Sequence, residues 1–176
     1  MPEPDQSRLR VLLPAAKIHE RIQEMGAEIH AAYPEGPIYM IGILKGSWIF
    51  LADLARAIPR HVRVEFMGIS SYGRGKTSSG EVRLTKDIDA SLEGMDVIVV
   101  EDIVDTGVTL TYLIQLLQQR RPRSIKVAAL LDKPSRRLRP IRPDYCGFTV
   151  PDEFVVGYGL DFAEDYRNLP DICVVE

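Results

Sequence analysis

Three carboxylates lie close together in the stretch DVIVVEDIVDTGVTL, residues 96–110. Glu101 and Asp102 end an apolar run, and Asp105 precedes a Thr-Gly pair that is typical of a turn opening a helix. The free backbone N–H groups at a helix start bind phosphate, and Gly107 lets an anion approach the backbone closely. The stretch therefore combines a binding site for an anion with carboxylate oxygens. These oxygens can accept hydrogen bonds from sugar hydroxyl groups or bind a metal ion.

The neighbouring threonines and the alternating directions of side chains along a strand suggest further contacts at this site. Thr106 and Thr109 carry hydroxyl groups that can donate to an anion. Adjacent strand residues point to opposite faces, so one of Glu101 and Asp102 can meet sugar hydroxyls while the other faces water or a metal ion. The alternative is a helix N-cap with ordinary surface acids. The apolar run on one side and the Asp-Thr-Gly on the other favour a ligand site.

Two further polar turns follow apolar runs of the kind that form buried strands. LKGS occupies residues 44–47, and LDKPS occupies residues 131–135. Ligands bind at the carboxyl ends of the strands in open parallel sheets, so both turns are site candidates. Taken singly, Lys45 is better explained as an exposed lysine at a helix start. The alternative for Lys133 is a surface cation in the basic run KPSRRLRPIR.

The stretch SSYGRGKTSSG, residues 70–80, contains Gly-Lys-Thr and invites comparison with a P-loop. That motif requires a glycine five residues before Gly75, and the residue there is Ser70, so the match fails. The stretch also lies between predicted strands rather than between a strand and a helix. Its Gly and Ser content predicts a mobile loop, and the bland interpretation is a loop without function.

The elements that must position these residues alternate between strand and helix. Apolar residues recur at helical spacing in three segments: PAAKIHERIQEMGAEIHAAY, GSWIFLADLARAI and TGVTLTYLIQLLQQR. Apolar runs predict buried strands in PIYMIGIL, VRVEFMGIS, DVIVV and SIKVAALL, with EVRLT as a hairpin partner of the second. This order predicts an α/β fold with a parallel sheet flanked by helices.

The composition is that of a soluble globular protein, with 45% hydrophobic and 27% charged residues in a chain of 176. The net charge of −3 gives no general attraction to nucleic acid or membranes. The two cysteines, Cys146 and Cys173, lack the spacing of a zinc site and predict reduced thiols. The polar N-terminus does not resemble a signal peptide, and no apolar run has membrane-spanning length, so a cytoplasmic protein is expected.

The motifs together resemble the type I phosphoribosyltransferases, in particular the branch that acts on 6-oxopurines. VIVVEDIVDTGVTL is similar to the family's phosphoribosyl-diphosphate signature, in the form with Asp at position 105. LKGS, SSYG, LDKPSRR, PDEFVVGYGLD and YRNLP look like the family's other loops, in order and at similar spacing. The resemblance covers nearly the whole chain. It implies a single domain over residues 1–176, with a core of about residues 35–135 and a small hood from the two terminal segments.

The resemblance implies a reaction of purine salvage. A 5-phosphoribosyl group would pass from 5-phospho-α-D-ribose 1-diphosphate to N9 of hypoxanthine or guanine, giving IMP or GMP and diphosphate. Asp105 would take up the N7 proton of the purine as the general base. Mg²⁺ is the implied cofactor, and a homodimer or homotetramer is the implied assembly. The SSYG segment would close as a lid over the diphosphate.

The resemblance also assigns ligand contacts to individual residues. The donor sugar diphosphate is assigned to Lys45, Gly46, Ser71, Tyr72, Glu101, Asp102, Asp105, Thr106, Gly107, Val108, Thr109 and Arg167. The purine is assigned to Lys133, Phe154, Val155 and Asp161. The Mg²⁺ ion is assigned to Glu101, Asp102 and Asp161. Lys133 would bond the purine O6 and Phe154 would stack on the ring, although Phe154 taken alone fits a core position better.

Two local features of the backbone and sequence follow from the same resemblance. The peptide bond between Leu44 and Lys45 is expected to be cis, in a turn that binds diphosphate through its backbone. Some relatives carry a basic residue at the position of Val108, so this chain lacks any such contribution to phosphate binding. Binding through backbone amides does not depend on that side chain.

Two other classes of function compete with the enzyme. A regulator on the same scaffold could bind nucleic acid through the arginine-rich run from Arg120 to Arg142, although the net acidity and the presence of Asp105 oppose this. A receiver-like signalling domain fits the VVED segment alone. It leaves Lys133, Phe154 and Asp161 without a role.

Overall fold

The structure is a computed structural model that describes residues 8–71 and 82–176. Within these ranges strands and helices alternate over the first two thirds of the chain apart from one hairpin, and the last third contains strands without α-helices. The helices are α1 (Ala15–Ala32), α2 (Trp48–Ala57) and α3 (Val108–Gln118). The strands are β1 (Leu9–Leu13), β2 (Ile38–Leu44), β3 (Val62–Ser71), β4 (Val82–Lys86), β5 (Asp96–Val104), β6 (Ser124–Asp132), β7 (Tyr145–Thr149), β8 (Val155–Val156) and β9 (Ile172–Val175).

The central sheet has six strands in the order β4-β3-β2-β5-β6-β7. Strands β3, β2, β5, β6 and β7 run parallel, and β4 pairs antiparallel with β3 as the predicted hairpin partner. The inner strands β2 and β5 are buried along most of their length, which explains why their sequences are nearly continuous apolar runs. The predicted α/β fold with a parallel sheet is confirmed.

Helices cover both faces of this sheet. On one face, Ile18, Ile22, Met25 and Ile29 of α1 pack with α2 against alternate residues of β2, β5 and β6. On the other face, α3 packs against the intervening residues of the same strands. The apolar residues of the two faces therefore interleave along each strand, as side-chain alternation requires.

Strand β5 is longer than the sequence predicts. Glu101 and Asp102 belong to the strand rather than to the loop after it, because β5 stays paired with β6 as far as Val104 opposite Asp132. This pairing places both carboxylates on a backbone fixed by hydrogen bonds. A site built on a strand holds its side chains more firmly than one built on a loop.

A second sheet joins the two terminal segments of the described chain. Strands β1, β9 and β8 form an antiparallel sheet in that order. Leu13, Val155 and Ile172 from this sheet belong to the same apolar core as α1 and α2. The sheet corresponds to the segments predicted to form a hood, and the assignment of residues 1–176 to one domain with a core of about 35–135 stays a prediction.

The amino end of β5 is fixed by an ion pair. The Asp96 carboxylate accepts hydrogen bonds from Arg123 Nε at 3.0 Å and from Ser124 Oγ at 2.7 Å. The Arg123 guanidinium and the Ser124 hydroxyl lower the pKa of Asp96 below its ordinary value, although burial acts in the opposite sense. A carboxyl group with a lowered pKa stabilises the fold above its ordinary pKa, and this contribution is lost as the pH falls through the lowered value.

Replacing Asp96 with asparagine is expected to lower the free energy of unfolding at pH 7 by about 1–3 kcal/mol, because charge-assisted hydrogen bonds are lost. The difference from the unmodified chain should shrink as the pH falls from about 5 to about 3. Urea unfolding across this range measures both effects. Asp89→Asn, at an exposed position, is the control. A difference that stays constant over the whole pH range would contradict the expectation.

None of the helices in residues 8–71 and 82–176 combines the length and the apolar character needed to span a membrane.

Candidate active site

Two loops and the end of strand β5 meet at the carboxyl edge of the central sheet and line a cleft of 310 Å³. The cleft receives the turn after β2, the end of β5 and the segment that follows β8. Its polar lining consists of Lys45, Gly46, Glu101, Asp102, Thr109, Asp161 and Arg167. All of these residues were assigned to the donor sugar diphosphate, the metal or the purine from the sequence, so the structure brings these assignments together in one place.

Two glycines, one in the turn after β2 and one in the segment after β8, lie where an added Cβ atom would overlap a neighbour. A Cβ atom on Gly46 would overlap the Asp102 carboxylate, and one on Gly159 would overlap the Gly46 carbonyl oxygen. The peptide bond between Leu44 and Lys45 is cis, as expected. These close contacts fix the positions of the Lys45 turn, the β5 carboxylates and the segment after β8 relative to one another.

The predicted phosphate cradle begins helix α3. Gly107 adopts a left-handed conformation with φ of 78° directly before the helix, a conformation that favours glycine. The Thr106 carbonyl accepts hydrogen bonds from the N–H groups of Leu138 (2.9 Å) and Arg139 (3.2 Å), which anchors the loop from outside. The first N–H groups of α3 have no acceptor within the helix, although the Val108 N–H group donates to Thr106 Oγ1 at 3.4 Å. A small cavity at this end of the helix is lined by residues 103–107, Thr109, Leu110 and Glu101.

Glu101 and Asp102 lie in an environment that opposes two negative charges. Burial, followed by the charge of Asp102, raises the pKa of Glu101 well above its ordinary value. Burial also raises the pKa of Asp102 to about 6, although the Ile103 N–H group at 2.8 Å and the more distant Arg167 act against this. A bound cation or sugar hydroxyl groups would compensate the charges, and hard carboxylate oxygens suit Mg²⁺.

The described residues do not form a metal cage by themselves, since no three His, Cys, Asp or Glu side chains in 8–71 and 82–176 converge on one point. Asp161, the third assigned metal ligand, is held by Arg167 at 2.8 Å. The residues therefore fit an ion that takes one or two carboxylates from the protein and its remaining oxygens from water and a phosphate ligand, which is how Mg²⁺ usually binds.

A network of ion pairs crosses the cleft. Lys45 Nζ lies 2.9 Å from both carboxylate oxygens of Glu164. Arg167 lies 3.3 Å from Glu164 and donates to the Gly159 carbonyl at 2.8 Å. Both cations assigned to diphosphate thus contact one carboxylate that the sequence analysis did not select. No spacing distinguishes Glu164 from the other acids of the segment, so no sequence signal marked it.

Asp105, the assigned general base, lies beside two arginines. Its carboxylate is 3.0 Å from Arg136 Nε. Arg137 donates to the carbonyl oxygens of Val104 and Asp105 and pairs with the buried Asp132 carboxylate. Arg137 therefore ties the loop before α3 to the end of β6. Neither arginine was selected from the sequence, where both appeared only as part of a basic run.

The residues assigned to the purine lie around the end of β6 and the start of β8. Lys133 is buried, and its Nζ donates to the Glu153 carbonyl at 2.5 Å. Phe154 is exposed and meets the edge of Phe162, with ring centroids 5.6 Å apart and ring planes at 81°. Val155 is buried in β8, where it pairs with Val174. The exposure of Phe154 shows that it is not a core residue.

Two assigned residues are described only in part or not at all. Ser71 ends β3, and its side chain is not described. Tyr72 and the predicted lid fall outside the described residues. Val108 is the first residue of α3.

The fold and the cleft together define a class of protein: an α/β enzyme that binds a phosphorylated sugar and a flat base at the carboxyl edge of a parallel sheet. The cradle at α3 suits a phosphate, and the carboxylates of β5 suit hydroxyl groups or a metal ion. The exposed aromatic ring and buried lysine suit a base with a carbonyl group.

The chain belongs to the phosphoribosyl transferase domain family, whose sequence model matches residues 12–163. It is 48% identical over 167 residues to the hypoxanthine-guanine phosphoribosyltransferase of Bacillus subtilis, covering 95% of this chain and 93% of that one. The protein of the same name from Aquifex aeolicus is 46% identical to this chain over 170 residues, and the match covers 96% of each of the two chains.

A solved structure gives the same result. The crystal structure of a hypoxanthine phosphoribosyltransferase from Staphylococcus aureus matches with a TM-score of 0.94 and 44% identity, covering 100% of this chain and 96% of that one. The family predicted from the sequence motifs is confirmed.

Proposed function

We propose that this chain transfers the 5-phosphoribosyl group from 5-phospho-α-D-ribose 1-diphosphate to N9 of hypoxanthine and guanine, in purine salvage. The products are IMP or GMP and diphosphate. The observation that carries the proposal is the meeting of the Lys45 turn, the β5 carboxylates, the α3 cradle and Arg167 in one cleft. The names of the similar proteins from Bacillus subtilis and Aquifex aeolicus support the choice of purine.

The donor lies along the edge of the sheet in this proposal. Its 5′-phosphate occupies the cradle of residues 105–109, where backbone N–H groups and threonine hydroxyls donate to it. Its ribose hydroxyls meet Glu101 and Asp102. Its diphosphate meets the Lys45–Gly46 turn and Arg167, with Ser71 and Tyr72 as lid contacts. A lid that closes here would keep water from a reactive sugar cation.

The purine binds beside Asp105. Phe154 stacks on the ring, the backbone of Val155 meets its edge, and the Lys133 ammonium donates to O6. The bond from C1 of the ribose to the diphosphate breaks to a large extent before N9 forms its bond to C1, and Asp105 accepts the N7 proton. The leaving diphosphate keeps the electron pair of the broken bond, so the reaction needs no other reactant.

Mg²⁺ is the proposed cofactor. When bound, it neutralises charge on the diphosphate leaving group. Glu101, Asp102 and Asp161 are the residues that would hold it, directly or through water. The raised pKa of Asp102 supports this assignment, because a carboxyl group that resists charging alone gains most from a nearby cation.

The proposed setting is the cytoplasm, with the chain as a single domain in a homodimer or homotetramer. Nucleic acid is not a proposed partner. The arginines that raised that possibility are largely engaged within the chain: Arg120 with Asp87, Arg123 with Asp96, Arg136 with Asp105 and Arg137 with Asp132. Sedimentation of the purified protein measures the oligomeric state.

The proposal is tested by a spectrophotometric assay of the purified chain with Mg²⁺ and the sugar diphosphate. Hypoxanthine, guanine, xanthine, adenine and uracil are offered in parallel. Turnover of hypoxanthine or guanine is expected. Turnover of adenine or uracil alone would preserve the donor site and overturn the purine assignment, whereas no turnover of any base would overturn the proposed function.

Replacing Lys133 with glutamine is expected to lower kcat/KM for hypoxanthine by about 10²–10³-fold, because a buried cationic donor to O6 is lost. The preference for hypoxanthine over adenine should fall as well, since adenine carries an amino group that repels this donor. Steady-state kinetics with both bases measures the ratio. Lys126→Gln is the matched control, because Lys126 lies on β6, the strand that Lys133 follows, and pairs with Asp144 away from the cleft. An unchanged ratio in Lys133→Gln would contradict the assignment.

A further inference from the structure

The carboxylate of Glu164 occupies the position at which the two diphosphate-binding cations meet. Lys45 Nζ lies 2.9 Å from both of its oxygens, and Arg167 Nη2 lies 3.3 Å from one of them. Lys45 comes from the turn after β2, whereas Arg167 and Glu164 come from the segment after β8. One side-chain anion thus bridges two cations that belong to different loops.

The backbone presents Glu164 through an unusual turn. Phe162 and Asp165 exchange backbone hydrogen bonds of 3.2 and 3.0 Å, and the two residues between them, Ala163 and Glu164, have φ values of 53° and 74°. Two-residue hairpin turns of this kind normally contain asparagine or glycine at these positions. A strained backbone persists where the surrounding structure requires it, and such positions cluster at functional sites.

A further contact fixes the turn. The Glu164 N–H group donates to the Asp161 carboxylate at 2.8 Å, and the other oxygen of Asp161 meets Arg167 at 2.8 Å. Lys45, and then Arg167, lower the pKa of Glu164 below its ordinary value. The turn therefore places the Glu164 carboxylate beside both Lys45 and Arg167.

We infer that Glu164 is an internal competitor for the diphosphate subsite, which an incoming diphosphate group must displace from Lys45 and Arg167. This inference rests on the proposed function, since it takes Arg167 and the Lys45 turn as diphosphate contacts, and it adds the Lys45 ammonium group to the backbone contacts of that turn. A diphosphate carries more charge than one carboxylate and spans both cations, so it displaces Glu164. When the product diphosphate leaves, Glu164 returns to the cations and lowers the affinity for rebinding. Glu164 thus lowers the affinity of the site for the diphosphate of the donor and, by the same competition, favours release of the product diphosphate.

The test is the binding of inorganic diphosphate to the full chain, with and without Mg²⁺. Trp48 is the single tryptophan of the chain, begins α2 three residues after Lys45, and is about half exposed, so its fluorescence reports on this turn. Glu164→Gln is expected to lower the Kd for diphosphate by about 5–20-fold, because the amide does not compete for the two cations. The KM for the sugar donor should fall with it, and inhibition by diphosphate should become stronger.

Two variants separate this competition from a general effect of charge. Asp165→Asn removes one negative charge from the same turn, at a residue that forms no ion pair with another described residue. It should leave the Kd within about twofold of the unmodified chain. Glu164→Asp keeps the charge on a shorter side chain and should give an intermediate Kd.

The outcomes distinguish the inference from the proposed function. Unchanged or weaker diphosphate binding in Glu164→Gln, or equal tightening in Asp165→Asn, overturns the inference. If the unmodified chain binds diphosphate and forms nucleotide in either of these cases, the proposed function stands. An unmodified chain that neither binds diphosphate nor forms nucleotide overturns the proposed function, and the inference with it.

Discussion

Replacing Asp105 with asparagine is expected to lower kcat for hypoxanthine by about 10²–10⁴-fold, the usual range for the loss of a general base. The amide has nearly the shape of the carboxylate, so it keeps the packing of the loop before α3. It cannot accept the N7 proton of the purine. The KM for the sugar donor should change little, because the 5′-phosphate is bound by the backbone of this loop rather than by the Asp105 side chain.

The surroundings of Asp105 provide a matched control. Arg136 pairs with both Asp105, at 3.0 Å, and Asp152, at 3.3 Å. Asp152→Asn therefore removes a carboxylate from the same arginine without touching the proposed base. It should leave kcat within about threefold of the unmodified chain. If Asp105→Asn retained more than a tenth of kcat, or if both variants lost the same activity, the role of Asp105 as base would be wrong.

The second large effect is expected from Gly159→Ala. Gly159 has a φ of 102°, its N–H group donates to the Arg167 carbonyl at 2.9 Å, and an added Cβ atom would overlap the Gly46 carbonyl oxygen. The Cβ atom would be attached to the backbone of one segment and would meet the backbone of another, so rotation of a side chain cannot relieve the overlap. The Lys45 turn must move away from Arg167, which separates the two cations of the diphosphate subsite.

The KM for the sugar donor should rise by about 10²-fold in Gly159→Ala, because a displacement near 1 Å at a binding site has this effect. The free energy of unfolding should fall by about 2–4 kcal/mol. Steady-state kinetics and urea unfolding measure the two effects. Gly94→Ala is the control, since Gly94 has a φ of 70° with nothing within 4 Å of the added atom. It should lose only about 1–2 kcal/mol and keep its kinetics. Equal losses in both variants would show that backbone strain alone, and not the overlap, is responsible.

The order of strands and helices followed from the sequence because each signal was local. Ile18, Ile22, Met25 and Ile29 repeat at helical spacing, and all four are buried in α1. The apolar run of β2 is buried on both faces, as in other parallel sheets. Only the length of β5 was underestimated, since charged residues normally end a buried run, and here pairing with β6 carries the strand past Glu101 and Asp102.

The candidate site was predictable where residues form an ordered motif, and unpredictable where they act through tertiary contacts. The cleft at the edge of the sheet contains Lys45, Asp102 and Arg167, which lie far apart in sequence but belong to family loops. Glu164 and Arg137 carry no motif, because their importance comes from partners on other elements. Electrostatic contacts of this kind depend on distance and burial, and a single sequence reports neither.

The pairing of β1 with β9 can form only late in synthesis, after β9 has been made. Leu9 pairs with Val175, so β1 is made about 160 residues before its partner and waits on the order of 10–30 s at ordinary translation rates. During that time β1 has no partner strand, and the loops from Phe154 to Arg167 do not yet exist. A nascent chain therefore contains the phosphate cradle well before it contains a purine pocket. Ribosome-bound chains should be able to fold the central sheet while remaining catalytically silent until the last strand emerges.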